Sequence, residues 1–368
     1  MITTQLSKIL PIIYAIIGFG VLVLVHEFGH FIFCKMFGVH TPNFSIGFGP
    51  KIIQKKIGTT NFCISALPLG GYVEIAGLQE VGQGEQKHAQ ANDKTAFSSK
   101  PYWQKFLILT GGVSFNLLFS YLALIILFMV GAPTKPEIKI TSVQVSSLAA
   151  NAGILTNDIV LKINNIDINK NPDQFTKEWQ KIQKLENKEI VFTISRDDEE
   201  IKEIKILLPS LSKVDSEKKG RLGIVVESGF SKERTKYPFI KAIKKGIKTT
   251  NEYIVLTLKA LKTLIKNRSL KGVGGPVLIF SQGTKLAKQG FVYLLIFLAI
   301  ISISLAIMNL IPIPALDGGQ LVFVTIESII GKEIPISIKN VIHLASIALL
   351  LALFLYITYR DILLLIKK

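Results

Sequence analysis

The sequence predicts a polytopic α-helical membrane protein of about four transmembrane helices, with a β-rich domain inserted between the second and third. Three observations predict it. Of 368 residues, 49% are hydrophobic and the mean hydropathy is +0.43, too apolar for an ordinary soluble chain. Apolar runs near the ~20 residues that a bilayer requires lie at Ile9–Phe33, Phe106–Val130, Phe291–Ile311 and Val341–Ile366. Between the middle two, short β-like runs alternate with polar turns. The formal net charge of +17 brings no basic stripe interleaved with aromatics and no nucleic-acid module, so no nucleic-acid partner is expected. The lysines instead solvate extramembrane parts and meet headgroups of the lipid bilayer. Cys34 and Cys63 have neither the number nor the spacing of a Cys-ligated zinc site or a disulfide framework.

The first segment, residues 1–36, lacks a basic n-region and a small-x-small cleavage site, so it reads as a retained span. It carries His26-Glu27-Phe28-Gly29-His30. On a helix this spacing puts two imidazoles one turn apart on one face, as two ligands of one zinc ion need. The glutamate between them sits where it can take a proton from a water on that ion. Three ionisable residues inside a membrane span cost about 2.5–3.5 kcal/mol for a central charge, so they mark a functional site.

Residues 37–105 form the loop to the second span. Asn61–Leu67 and Leu69–Gly77, separated by Pro68, predict a hairpin. Gly70 and Gly71 mark a turn or a backbone left open to close approach. Such a hairpin either takes an extended peptide on a free edge or is purely structural. Residues 79–99 read as a polar surface loop with His88 a solvated bystander. The second span, 106–130, opens with Gly111-Gly112-Val113-Ser114-Phe115-Asn116. Its small residues permit close helix packing, and Asn116 hydrogen-bonds either across the bundle or to a guest peptide.

Residues 131–225 hold β-like runs at Ile138–Val145, Ile159–Ile163, Ile190–Ser195 and Ile201–Leu208. Within them, Ser147–Ile154 followed by Asp158–Asn164 resembles the short helix and strand of a PDZ domain, with room for one such domain. Residues 226–290 predict amphipathic linker helices; within them the basic run Phe239–Leu270 has lysines on its polar face and lies on the membrane surface or on the soluble domain.

Residues 291–368 supply the last two spans. The third ends in Asn309-Leu310-Ile311-Pro312-Ile313-Pro314-Ala315-Leu316-Asp317-Gly318-Gly319-Gln320. The prolines break a helix at membrane depth, where irregular backbone survives only when it lines a cavity or is buried in protein. A zinc site needs a third protein ligand and an open position. Asp317 alone combines a carboxylate, a broken helix and a membrane border; Glu74, Glu327, His343 and Asp361 are weaker candidates, and an N-cap is the bland alternative for Asp317.

Together, His26-Glu27-Phe28-Gly29-His30, the PDZ-like insert and Asn309 through Leu316-Asp317-Gly318-Gly319 resemble the bacterial site-2 proteases, and among them the kind that acts in sigma-E regulation, in a single-PDZ form. The resemblance spans nearly the whole chain. It implies an intramembrane zinc metalloprotease with one Zn2+ per chain, metal ligands His26, His30 and Asp317, and Glu27 as general base. It implies substrate-holding roles for Asn309 and for the hairpin residues Gly70, Gly71, Tyr72 and Val73, with Asn116 a further substrate-binding candidate. The implied partners are single-pass transmembrane proteins or signal peptides. The implied place is the bacterial inner (plasma) membrane, with the termini and PDZ domain periplasmic or exterior and the active site toward the cytoplasm. Two departures stand out. The family's Gly-Pro-x-x-Asn reads Gly112-Val113-Ser114-Phe115-Asn116 here, and only one PDZ domain fits. A membrane metal transporter and a catalytically silent PDZ membrane scaffold remain as alternatives.

Overall fold

The computed structural model describes residues 2–78, 93–133, 136–164, 166–168, 185–196, 200–210, 222–230, 234–267 and 273–366, with isolated positions between 175 and 182 and Leu270. His88 and most of the expected 79–99 loop lie outside the described residues. The elements in chain order are α1 (Ile2–Met36), β1 (Asn43–Ile57), β2 (Thr60–Val73), α2 (Tyr102–Val130), β3 (Ala132–Pro133), β4 (Pro136–Val143), α3 (Leu148–Asn151), β5 (Ile159–Ile163), β6 (Ile166–Asp167), β7 (Glu189–Arg196), β8 (Glu200–Leu207), β9 (Ile224–Phe230) and β10 (Arg234–Thr235). Five helices follow: α4 (Phe239–Asn267), α5 (Pro276–Gln289), α6 (Phe291–Asn309), α7 (Asp317–Ile330) and α8 (Ile336–Ile366). The chain divides into a helical unit, Met1–Met129 with Pro238–Lys368, and a β-rich unit, Val130–Tyr237.

Among the described residues, four helices are long and apolar enough to cross a membrane: Ile9–Met36 of α1, then α2, α6 and α8. The chain is a polytopic helical membrane protein with an inserted β unit. α6 stops at Asn309 rather than Ile311, because Pro312 and Pro314 cannot continue it. α1 and α2 cross in backbone contact. A Cβ added to Gly29 would stand 2.3 Å from the Gly111 carbonyl oxygen, and one added to Gly111 would stand 2.7 Å from that of Gly29.

The structure gives bundle partners to two helices of the 226–290 segment. The first half of α4 packs along α2. Gly246 meets Ile125, the Tyr121 hydroxyl donates to Asn251 Oδ1 at 2.6 Å, and Lys245 lies over the Phe128 ring. α5 packs on α1 and α6. Its Gly283 opens room for Phe19 of α1 and Phe297 of α6, and Phe280 meets Phe19 with ring centroids 6.2 Å apart. Small residues draw both helices onto the spans, a pairing that linear hydropathy does not register.

The expected pairing of Asn61–Leu67 with Leu69–Gly77 is corrected. The turn falls at Gly58, whose φ of +59° favours glycine, and both runs flank β1 instead. Phe44, Ser45 and Ile46 pair on one side with Phe62, Cys63 and Ile64, and on the other with Val73, Tyr72 and Gly71. β1 itself has a period-2 signal in Phe44, Ile46 and Phe48, obscured by the Gly47-Phe48-Gly49-Pro50 interruption.

The β unit is a sheet in the order β8-β7-β5-β4-β9, with β6 on β5. It runs to Tyr237, beyond the expected boundary at 225, because β9 pairs with β4 and β10 with β3. Inward residues Ile138, Ile140, Val160, Ile163, Ile190, Phe192 and Ile194 form its core. Ser147 caps α3 by accepting the Ala150 N–H at 3.2 Å. The buried Asp158 accepts Arg196 Nε and Nη2, each at 2.8 Å, and the Leu155 N–H at 2.8 Å. Replacing Asp158 with Ala removes both of its bonds to Arg196, which keeps the one from Nη2 to the Gly153 carbonyl, so Asp158→Ala is expected to destabilise this unit by about 3 kcal/mol. Hydrogen exchange at the β5 and β7 amides checks this, and unchanged protection would contradict it.

Candidate active site

α1 carries His26 and His30 one turn apart, and the first residue of α7 brings Asp317 to the same point. His26 Nε2 lies 3.2 Å from His30 Nε2 and 3.2 Å from Asp317 Oδ2, and His30 Nε2 lies 3.6 Å from that oxygen. A tetrahedral zinc with ligands at about 2.0–2.2 Å sets its donors about 3.3–3.6 Å apart, so the triangle has the right size.

The outer contacts fix which nitrogens face the triangle. His30 Nδ1 is 2.8 Å from the Ile108 carbonyl oxygen, which only accepts, so Nδ1 donates there and Nε2 is the nitrogen turned to the triangle. His26 Nδ1 is 3.2 Å from the Asn116 amide, whose Oδ1 is buried without a hydrogen-bond partner. Turning that amide over places Oδ1 on Nδ1–H, with His26 Nε2 turned to the triangle as well. Asp317 Oδ2 is also buried with no hydrogen bond. Two imidazole nitrogens and a carboxylate oxygen converge at these distances, a donor set that one cation can join. The donor set fits a zinc ion.

Gly112 of α2 makes the arrangement possible. A Cβ there would stand 2.4 Å from His30 Nε2 and 2.5 Å from His26 Cε1. The triangle opens on a cavity of about 290 Å3, lined by Leu22, Val23, His26, Glu27, Asn116, Leu305, Asn309, Ala315, Leu316, Asp317, Gln320 and His343.

Glu27 points into this cavity, and its Oε2 accepts the Val73 N–H at 3.1 Å. In a strand, successive residues turn their N–H and C=O to opposite edges. The Glu74 N–H donates to the Asn43 carbonyl at 2.8 Å, so Tyr72 and Glu74 face β1. Gly71 and Val73 therefore address the opposite edge, the one that meets Glu27.

A family model described as Peptidase family M50 matches residues 14–353. The chain belongs to Peptidase family M50. It is a metalloprotease of the site-2 protease type. A protein of Nostoc sp. provisionally named a zinc metalloprotease is 30% identical over 361 residues, 96% of each chain. A Rickettsia conorii protein with the same provisional name is 33% identical over 372 residues, 96% of this chain and 98% of that one. The regulator of sigma E protease of Haemophilus influenzae is 31% identical over 440 residues, 95% of this chain and 97% of that one.

In this M50 peptidase the remaining candidates separate cleanly. Asn309, the last residue of α6, places Nδ2 3.3 Å from His26 Nε2. Asn116 faces His26, while its backbone carbonyl accepts the Ser302 hydroxyl at 2.9 Å. α2 continues unbroken past Val113, so the missing proline leaves Asn116 in place. Gly71 and Tyr72 pair with Ile46 and Ser45, Gly70 packs against Phe48, and Tyr72 stacks on Phe48 with centroids 6.2 Å apart. The weaker candidates are otherwise engaged: Glu74 accepts the Asn43 amide, Glu327 pairs with Lys339, and Asp361 accepts the N–H groups of Gly275 and Leu278. His343 does reach the cavity. Gln320, three residues after Asp317, also lines it, which the sequence signalled only by that spacing on one helix face.

Proposed function

We propose that this M50 peptidase is a zinc-dependent intramembrane endopeptidase that cuts the transmembrane segments of single-pass membrane proteins in the bacterial inner membrane. The observation that carries the reading is the His26–His30–Asp317 triangle with Glu27 beside it, built on an apolar helix of membrane-spanning length. Relatives named zinc metalloproteases support zinc as the metal, and the one triangle among the described residues supports one ion per chain.

His26, His30 and Asp317 would hold the zinc ion, which when bound would supply a Lewis acid toward the scissile carbonyl and lower the pKa of a water to about 7. Glu27 takes the proton of the attacking water and delivers it to the leaving amine. Asn309 offers its amide N–H to the substrate carbonyl. A helical substrate hides each carbonyl in a bond to the N–H four residues on, so it must unwind before it is cut. The edge at Gly71 and Val73 offers backbone partners to the unwound stretch, by strand addition. Gly70 and Tyr72 hold that edge through Phe48.

The substrates this implies are anti-sigma-type single-pass proteins or remnant signal peptides. The β unit is read as a single PDZ-like domain on the periplasmic or exterior side with the termini, and the active site as facing the cytoplasm. The lipid bilayer is a partner and nucleic acid is not. The test is to incubate the purified protein in detergent with a single-pass membrane peptide and map the products by mass spectrometry. Cuts inside the apolar span, stopped by chelation and restored by zinc, are expected. Cuts confined to the flanks, or indifferent to chelation, would overturn the reading.

A further inference from the structure

α8 is apolar and mostly exposed along its length, yet the residues it buries are His343, Ser346 and Asp361. A lipid-facing helix gains little by burying a polar face unless that face has partners. Asp361 has its own, far along the helix on the N–H groups of Gly275 and Leu278. His343 faces the catalytic cavity instead.

There the Gln320 amide nitrogen lies 3.2 Å from His343 Nδ1 and 3.2 Å from the Pro314 carbonyl oxygen, so its two N–H groups serve both. Gln320 thus ties three pieces together: the last span, the first turn of α7, and the proline loop that precedes Asp317. The loop is pressed against that turn. A Cβ on Gly318 would stand 2.4 Å from the Leu310 carbonyl oxygen, and one on Gly319 would stand 2.2 Å from that of Ile313. Nothing else polar on α8 engages this loop among the described residues. His343 is not in the group of donor atoms that lie within 4.8 Å of one another, so it is no ligand.

We propose that His343 and Gln320 are positioning residues that hold the Pro314–Asp317 loop so that the Asp317 carboxylate completes the metal triangle. The proposal rests on the reading of His26, His30 and Asp317 as ligands. Outer contacts of this kind typically account for about 10–100-fold in metal affinity.

The experiment measures zinc affinity by chelator competition on the full-length protein in detergent, with thermal unfolding of each variant alongside. His343→Leu and the near-isosteric Gln320→Met are each expected to weaken zinc by about 10–100-fold. His343→Asn, which keeps an acceptor near the place of Nδ1, is expected to restore affinity close to wild type. Because the two residues act through one bond, the double variant is expected to be no weaker than the weaker single one. Ser346→Ala, on the same buried face, is expected to leave zinc affinity unchanged. Wild-type affinity in Gln320→Met, equal loss in His343→Asn and His343→Leu, or additive losses would each overturn the proposal. Should His343→Leu fail to fold, Gln320→Met and His343→Asn decide alone. Asp317→Asn separates the layers: if it holds zinc as wild type does, the ligand reading fails and this proposal with it. If it loses zinc while Gln320→Met does not, only the positioning role fails.

Discussion

Glu27→Gln is expected to stop peptide-bond hydrolysis while zinc stays bound. The glutamine has nearly the glutamate's shape, and its amide oxygen still accepts the Val73 N–H that Glu27 Oε2 accepts at 3.1 Å. The side chain therefore stays against the strand edge. His26, His30 and Asp317 make no use of Glu27 as a ligand, so the zinc content is expected to match wild type. What the amide cannot do is take a proton from water. A positioned general base contributes about 10²–10⁴-fold, and a loss of that order in cleavage rate is expected. Rates and zinc content measured on the same preparations make the test decisive. Equal cleavage by both proteins would remove Glu27 from the chemistry, and loss of zinc with cleavage would make it part of the metal site.

Gly112→Ala is expected to empty the metal site altogether, although residue 112 bears no functional group. Its Cβ would fall 2.4 Å from His30 Nε2, 2.5 Å from His26 Cε1 and 2.7 Å from His26 Nδ1. Neither ring can step aside. His30 is held by the Ile108 carbonyl and His26 by Asn116, both on the same helix as Gly112. Retreat of the whole helix would break the Gly29–Gly111 crossing, where backbones touch. Zinc affinity is expected to fall on the order of 100-fold or more, beyond what loss of one outer contact costs. Ser114→Ala, on the exposed side of the same helix, is the matched control and is expected to bind zinc as wild type does. A Gly112→Ala protein with wild-type zinc affinity would show that the two helices stand further apart than the structure has them.

Much of the candidate site was legible because it is written in short-range spacing. His26 and His30 share a helix face by being four residues apart, and Pro312 and Pro314 announce broken backbone just before Asp317. Spans were legible because a bilayer demands length and apolarity, both of which are additive along the chain. The hairpin was not. Its two runs looked like partners of each other, whereas the strand between them in space comes from Asn43–Ile57, earlier in sequence and interrupted by glycines and a proline. The partners of α4 and α5 were hidden for a related reason. Their lysines read as surface, but Gly246 and Gly283 on their other faces carry them onto α2, α1 and α6.

By itself, then, the sequence singled out the candidate residues, His26, Glu27, His30 and Asp317, and a chain with helices long and apolar enough to span a membrane. Only the tertiary structure decided that Asp317 meets the two histidines across 287 residues of chain, that Val73 turns its N–H to Glu27, and that His343 and Gln320 stand behind the aspartate loop. Helical period and hydropathy are properties of neighbours along the chain. Contacts between α1, α7, the hairpin and α8 depend on how closely backbones approach, and glycines without side chains set that distance only once the partner helix is known.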